Sequence, residues 1–130
     1  MSSAQTLTPQ WAKLRDDARL RGEVNQWGLT EKDCEIIRNV LSKNIRITRA
    51  ILYGSRAMGT FRKASDVDLA LEGENLEMHD VASVRRELEE SSLPFEVDVI
   101  IRAEITNTEL EKQIEKYGKT LYCIELQDGT

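Results

Sequence analysis

The chain is expected to fold as an α/β (α+β) domain, a small mixed β-sheet flanked by helices. Two observations predict this. Apolar spacing switches repeatedly between the helical period of 3.6 and the strand period of 2, in the order helix, strand, helix, strand, helix. The 130 residues also hold no internal repeat and no low-complexity tract, so one hydrophobic core is the simplest reading. Hydrophobic residues at 40% and charged residues at 32% are ordinary for a globular protein in water.

Residues 1 to 8 read as a loose tail. Thr8-Pro9 resembles a helix start with proline in the first position, followed by Trp11, Leu14 and Ala18 on one side until Gly22. Residues 1–29 are therefore expected to form an N-terminal helical extension, and 30–130 the main domain. Trp11 and Trp27 are expected to pack within the chain, for area alone. The second helix, about 30 to 43, has Thr30 to cap it, Asp33 three residues on, and a stripe of Ile36, Ile37, Val40 and Leu41.

Ile45 to Tyr53 reads as a strand, ending in Ala50-Ile51-Leu52-Tyr53 just before a glycine. Residues 54 to 65 form a polar, glycine-punctuated loop with room for a short helical turn. Val67, Leu69 and Leu71 alternate with Asp66, Asp68 and Ala70 as a second strand, and Gly73 to Glu77 form a turn. A helix follows over 79 to 91, with Val81, Val84 and Leu88 inward, and Pro94 stops it. His79, the only histidine, opens that helix and is expected at the surface or as a cap. Phe95, Val97, Val99 and Ile101 alternate with Glu96, Asp98 and Ile100 as a third strand. Asn107 or Thr108 caps a last helix carrying Leu110, Ile114 and Tyr117, which Gly118 ends. Residues 121 to 126 suit a short closing strand.

The net charge of −5 argues against long nucleic acid as the main partner, because phosphate neutralisation needs a basic surface. A small anionic ligand remains compatible once cations cover the acids. No apolar stretch approaches a membrane span, and the N-terminus lacks the basic start and apolar centre of a secretory signal, so a cytoplasmic protein is expected. Cys34 and Cys123 lie far apart without metal-ligand spacing and read as free thiols.

The informative residues are few. Side chains two apart on a strand share a face, so Asp66 and Asp68 project together while Val67 and Leu69 enter the core. Two such carboxylates repel unless a cation lies between them, and magnesium, which takes oxygen ligands and keeps substrate phosphate in its shell, suits them. Asp98 lies on the opposite face of its strand from Val97 and Val99. If the two strands are neighbours, all three acids meet on one surface. Singly, each acid reads more readily as part of a solvated face, and Glu96 beside Asp98 supports that reading. The upstream loop reverses the odds. Gly54 permits close approach of a phosphate to the main chain, Ser55 offers its N–H and hydroxyl, and Gly59 lets the chain turn again. Arg56 either meets a phosphate or pairs with an acid to fix the loop, the second being slightly favoured. Arg62 and Lys63 lie in reach of a nucleotide tail, with a solvated loop as their default.

The combination Gly54-Ser55-Arg56-Ala57-x-Gly59, five residues, then Ser65-Asp66-x-Asp68-Leu69, resembles the signature of the minimal nucleotidyltransferases of the DNA polymerase β-like superfamily, and Val97-Asp98-Val99 matches the place of their third acid. The resemblance covers roughly residues 30 to 120. It implies the polymerase β-like nucleotidyltransferase fold and transfer of a nucleoside monophosphate, commonly AMP from ATP with magnesium, to a hydroxyl. Asp66, Asp68 and Asp98 are then the catalytic and metal-holding acids, with two Mg2+ ions expected. Gly54, Ser55, Arg56 and Lys63 are the candidate nucleotide-binding residues. Proteins of this size in the family commonly work beside a helical HEPN-type partner, either a substrate-binding subunit or a toxin whose tyrosine is adenylylated. Met58 stands where arginine is frequent, and the Thr60-Phe61-Arg62-Lys63-Ala64 stretch is less acidic than usual; both bear on nucleotide affinity rather than the metal site. Two alternatives stand beside the enzyme: an antitoxin-like module that only occludes its partner, and a stand-alone transferase for a small molecule. Chain length weighs against the last, since no room is left for an acceptor-binding domain. The acceptor is expected from another chain or a second copy.

Overall fold

A computed structural model describes residues 24–124. The helix expected from Thr8 to Gly22, with Trp11, lies outside the described residues, as does the end of the closing strand past 124. Helix α1 (Glu31–Ser42) begins where Thr30 and Asp33 exchange hydrogen bonds: Asp33 N–H donates to Thr30 Oγ1 at 3.0 Å and Thr30 N–H to Asp33 Oδ2 at 2.9 Å. Its apolar stripe buries Ile37, Val40 and Leu41 together with Cys34. The segment before it is tied down as well. Asn25 Oδ1 accepts from the N–H groups of Trp27 and Leu29, and Leu29 is wholly buried in the core.

Strand β1 (Ile47–Tyr53) starts two residues later than expected, because Asn44 caps a turn there, its Oδ1 accepting from Arg46 N–H at 2.9 Å, and Ile45 is left 84% exposed. The short helix α2 (Ser55–Met58), strand β2 (Val67–Gly73), helix α3 (Met78–Glu89), strand β3 (Val97–Ile101), helix α4 (Thr108–Tyr117) and strand β4 (Lys119–Cys123) follow. A 3-10 turn over Arg102–Glu104, which no periodicity signals, joins β3 to α4. The order across the sheet is β3-β2-β1-β4, with β1 antiparallel to both neighbours and β2 parallel to β3. The sheet is therefore mixed, as expected.

Helices α1 and α3 cover one face, packing on Leu52, Val67, Leu69, Leu71 and Val99. Helix α4 covers the other through Ile114, which meets Ile51, Tyr53 and Ala70. The inner position of β1 explains its unbroken apolar run: Ala50 to Tyr53 are buried on both faces. Gly118 ends α4, but its φ is −60°, not left-handed. Close packing is the reason for glycine here, since a Cβ would fall against the Ile114 carbonyl and the Ile51 side chain.

The start of α3 rests on a buried carboxylate. Asp80 is 2% exposed and accepts from Glu77 N–H at 2.7 Å, Asn44 Nδ2 at 2.8 Å and Arg46 Nη2 at 2.6 Å. It thereby ties α3 to the α1–β1 turn. Burial pushes its pKa up, but these three donors outweigh burial and hold it at about 2, below the ordinary 3.8. A depressed carboxylate stabilises the fold above its unfolded pKa and loses that effect as pH falls through the folded value. Asp80→Ala is expected to cost about 2 kcal/mol in urea denaturation at pH 7, because it leaves three part-buried donors without their acceptor. The difference between wild type and Asp80→Asn should shrink as pH drops from about 4 toward 2.

Candidate active site

Strand register brings two of the three acids, Asp68 and Asp98, to one surface. Asp68 on β2 stands opposite Asp98 on β3, and Tyr53 on β1 stands opposite Asp68 from the other side. Neighbouring strands lie about 4.8 Å apart, so Asp68 and Asp98 face the same way at one strand spacing. Because Val67 and Leu69 enter the layer under α1 and α3, Asp68 and Asp98 project from the α4 side. Asp66, just ahead of β2 and two residues from Asp68, is exposed, as is Asp98; Asp68 is half-buried. The hydrogen bond from Val67 N–H to Glu96 O at 2.9 Å starts the parallel ladder. Glu96 itself is exposed, whereas Ile100, two residues beyond Asp98, is partly covered by the α4 side of the core.

Charge is concentrated there. Burial first, then the Asp98 and Asp66 carboxylates, push the Asp68 carboxyl from 3.8 up to about 6. Burial, with Asp68 and Asp98 behind it, likewise raises the pKa of the Tyr53 phenol. Tyr53 is buried in the core under α4 and borders the acids by its register with Asp68.

Gly54 ends β1 at φ 78°, ψ −156°, a conformation open in practice to glycine alone. A Cβ at this position would collide with the Asp68 carboxylate, so the close approach that glycine allows is to the acid. Ser55 opens α2, half-buried, immediately after it. Gly59 closes α2 at φ 82°, and Thr60 N–H returns to Ser55 O at 3.0 Å.

Arg56 is not a phosphate ligand in this arrangement. It is 1% exposed, and its guanidinium donates to the carbonyls of Ser65, Trp27, Gly28 and Lys63 at 2.9 to 3.4 Å. It also stands 5.2 Å from the centre of the Phe61 ring and 4.7 Å from that of Phe95. The loop-fixing alternative is what the fold uses, with carbonyls and aromatic rings as the partners seen. Phe95 and the carbonyls of residues 27 and 28 are illegible as partners because they come from distant parts of the chain. The Lys63 side chain is exposed, as is that of Arg62, and only the Lys63 carbonyl is held.

As a donor set the acids fit a hard divalent cation: oxygen ligands only, with one pKa raised by burial first and by neighbouring carboxylates second. They do not converge fully as they stand. Among the described residues no three His, Cys, Asp or Glu side chains form a cluster tight enough to hold an ion. Asp98 instead turns Oδ1 toward Arg85 Nη2, 3.4 Å away. The larger clefts lie elsewhere. One of about 630 Å³ runs between the end of α1 and the start of α3, past Lys43, Arg46 and His79. Another of about 600 Å³ follows α3 and β3 past Arg85 and Ile100. Neither is lined by these acids, of which Asp66 and Asp98 are exposed and Asp68 is half-buried. No described helix is long and apolar enough to cross a membrane.

The family described as polymerase beta, nucleotidyltransferase, matches residues 35–127. No curated protein matches. Among solved structures, the chain is similar to a toxin–antitoxin with AMP-PNP, at TM-score 0.60 and 25% identity over 75% of this chain and 78% of that one. It is also similar to the toxin–antitoxin MntA–HpeT with a tyrosine-to-alanine substitution, at 0.54 and 26% over 70% and 72%. A third is the tri-AMPylated Shewanella oneidensis HEPN toxin in complex with MNT antitoxin, at 0.51 and 20% over 74% and 77%, a likeness of fold.

Two outcomes follow from the geometry. Arg56→Lys should lower stability by about 2 kcal/mol in denaturant titration, since an ammonium cannot replace the guanidinium fork; a phosphate ligand would instead raise KM at unchanged stability. Asp68→Asn should stabilise the metal-free protein at pH 7. The Asp68 pKa of about 6 lies above the unfolded 3.8, so the native state binds more protons in that window and stability falls as pH rises through it. With partial exposure screening the repulsion, the gain is on the order of 1 kcal/mol and should vanish below about pH 4.

Proposed function

Because the chain belongs to the polymerase beta nucleotidyltransferase family, we propose that it transfers a nucleoside monophosphate, AMP from ATP, to a hydroxyl on a helical HEPN-type partner in the cytoplasm, as an antitoxin would. The observation that carries the reading is the in-register pair Asp68 and Asp98, with Asp66 two residues before and Gly54 against the Asp68 carboxylate. The similarity at 25% identity to a toxin–antitoxin with AMP-PNP supports both the nucleotide and the kind of partner.

Asp66, Asp68 and Asp98 would hold Mg2+. Magnesium held there would supply positive charge against the triphosphate oxygens and the leaving group of an in-line displacement. The Ser55 N–H and hydroxyl donate to a phosphate oxygen, and Gly54 keeps the chain close enough for that. The acceptor oxygen attacks the α-phosphorus, pyrophosphate departs, and the acceptor's proton passes to Asp98, which is exposed on an edge strand where a partner can reach it. Arg56 takes no part in these steps; it holds the loop that carries Ser55. The open surface around the acids supports an acceptor presented by another molecule.

The test is incubation with ATP labelled on the α-phosphate, Mg2+ and the co-expressed helical partner. Label is expected on the partner, and Asp66→Asn with Asp68→Asn should lower its transfer by about a thousandfold or more while partner binding persists. If the double variant still neutralises the partner as well as wild type does, occlusion replaces catalysis as the function.

A further inference from the structure

We propose that Arg85 is a built-in counter-cation for Asp98, offsetting that carboxylate while the acids lack a divalent ion and yielding it when an ion binds. The inference rests on the metal-holding role given above to Asp66, Asp68 and Asp98. Arg85 belongs to α3, whose Val81, Val84 and Leu88 are buried against the sheet face opposite the acids. Strand β3 is one of the two edge strands, and Arg85 reaches its edge, where Nη2 donates to Val99 O at 3.1 Å and lies 3.4 Å from Asp98 Oδ1.

The two distances differ in meaning. The bond to the Val99 carbonyl is within the ordinary range for N–H···O, whereas 3.4 Å to the carboxylate is longer than a charge-assisted hydrogen bond prefers. An arginine that aims a ligating carboxylate would hold it by a short, two-pronged contact. Here the contact is single and long, and the two side chains are 45% and 54% exposed. Such a pair contributes little and is easily exchanged. Arg85 keeps its backbone anchor when Asp98 turns away, so release of the acid leaves the arginine in place. Meanwhile Asp98 faces Asp68 across the register, where a positive charge nearby relieves the repulsion. Arg85 is therefore a positioning residue: it acts through Asp98 on ion binding and touches no reacting atom.

The measurement is Mn2+ affinity of the full chain at low ionic strength, by titration calorimetry, for wild type, Arg85→Gln, Arg86→Gln and Asp68→Asn. Arg86 is the next residue of the same helix and is exposed, so its variant removes the same charge without an Asp98 contact. Arg85→Gln is expected to bind Mn2+ about two- to five-fold more tightly than wild type, with the gain fading in high salt and absent from Arg86→Gln. Weaker or unchanged binding by Arg85→Gln, or an equal gain in Arg86→Gln, overturns the proposal while wild-type binding and its loss in Asp68→Asn leave the metal site standing. If wild type binds no Mn2+, the metal reading fails and this inference falls with it. Circular dichroism of Arg85→Gln at neutral pH checks that the fold is retained.

Discussion

Strand register forces the central electrostatic conflict of this protein. β2 and β3 pair in parallel from Val67 opposite Val97 to Leu71 opposite Ile101, and that pairing sets Asp68 against Asp98. A slip of one residue would turn Val67, Leu69 and Leu71 away from the core they share with α1 and α3. Each of those side chains is wholly buried and contributes about 1.5 to 3 kcal/mol by burial. The repulsion between half-exposed carboxylates is on the order of 1 kcal/mol. Packing wins, and the sheet holds the acids together at a modest cost that a cation can relieve. The same carboxylates add to burial in raising the Asp68 pKa.

Two arginines meet this arrangement in opposite ways. Arg56 is sealed inside, between two phenylalanine rings and four backbone carbonyls, and fixes the loop from Gly54 to Ser65 against the segment at residues 27 and 28. Removing a charge so enclosed leaves its acceptors unsatisfied, so its role is structural and hard to replace. Arg85 is nearly half exposed, with one long contact to a carboxylate. Burial and geometry separate a permanent clamp from an exchangeable counter-charge, although both residues are the same in sequence.

Local signals carried most of the secondary structure. The Thr30–Asp33 exchange, the alternation at Val67, Leu69 and Leu71, and the Asn107 cap, whose Oδ1 accepts from Leu110 N–H, are readable because each depends on residues within a few positions. The pairing of Asp68 with Asp98 was legible conditionally: the faces were set by alternation, and adjacency of the strands was the missing term. What stayed hidden is long-range. Arg56 meets carbonyls 28 and 29 residues away, Asp80 meets Asn44 and Arg46 across 36 and 34 residues, and Arg85 reaches Asp98 across 13. No pattern in a helix's charged face distinguishes Arg85 from Arg86. The late start of β3, at Val97 instead of Phe95, has the same cause, since Phe95 stacks on Arg56.

The cover over the acid-bearing face is incomplete in a way that matters for chemistry. Helix α4 buries Ile51, Tyr53 and Ala70 through Ile114, with Ile100, Ile105 and Leu110 at the margin. Among the described residues the cover ends past Tyr53, and Asp66 and Asp98 are exposed. Charges that face water interact weakly, because a high dielectric screens them, and the same groups interact several times more strongly once water is excluded. Nucleotidyl transfer depends on such electrostatic stabilisation and on a protected leaving group. In the proposed reaction the exclusion of water must come from what docks on this face. There the triphosphate would cover Ser55 and Asp68, and the acceptor-bearing partner would cover Asp98 at the sheet's edge. Productive geometry then forms only in the assembled complex, which would couple catalysis to the presence of the correct partner.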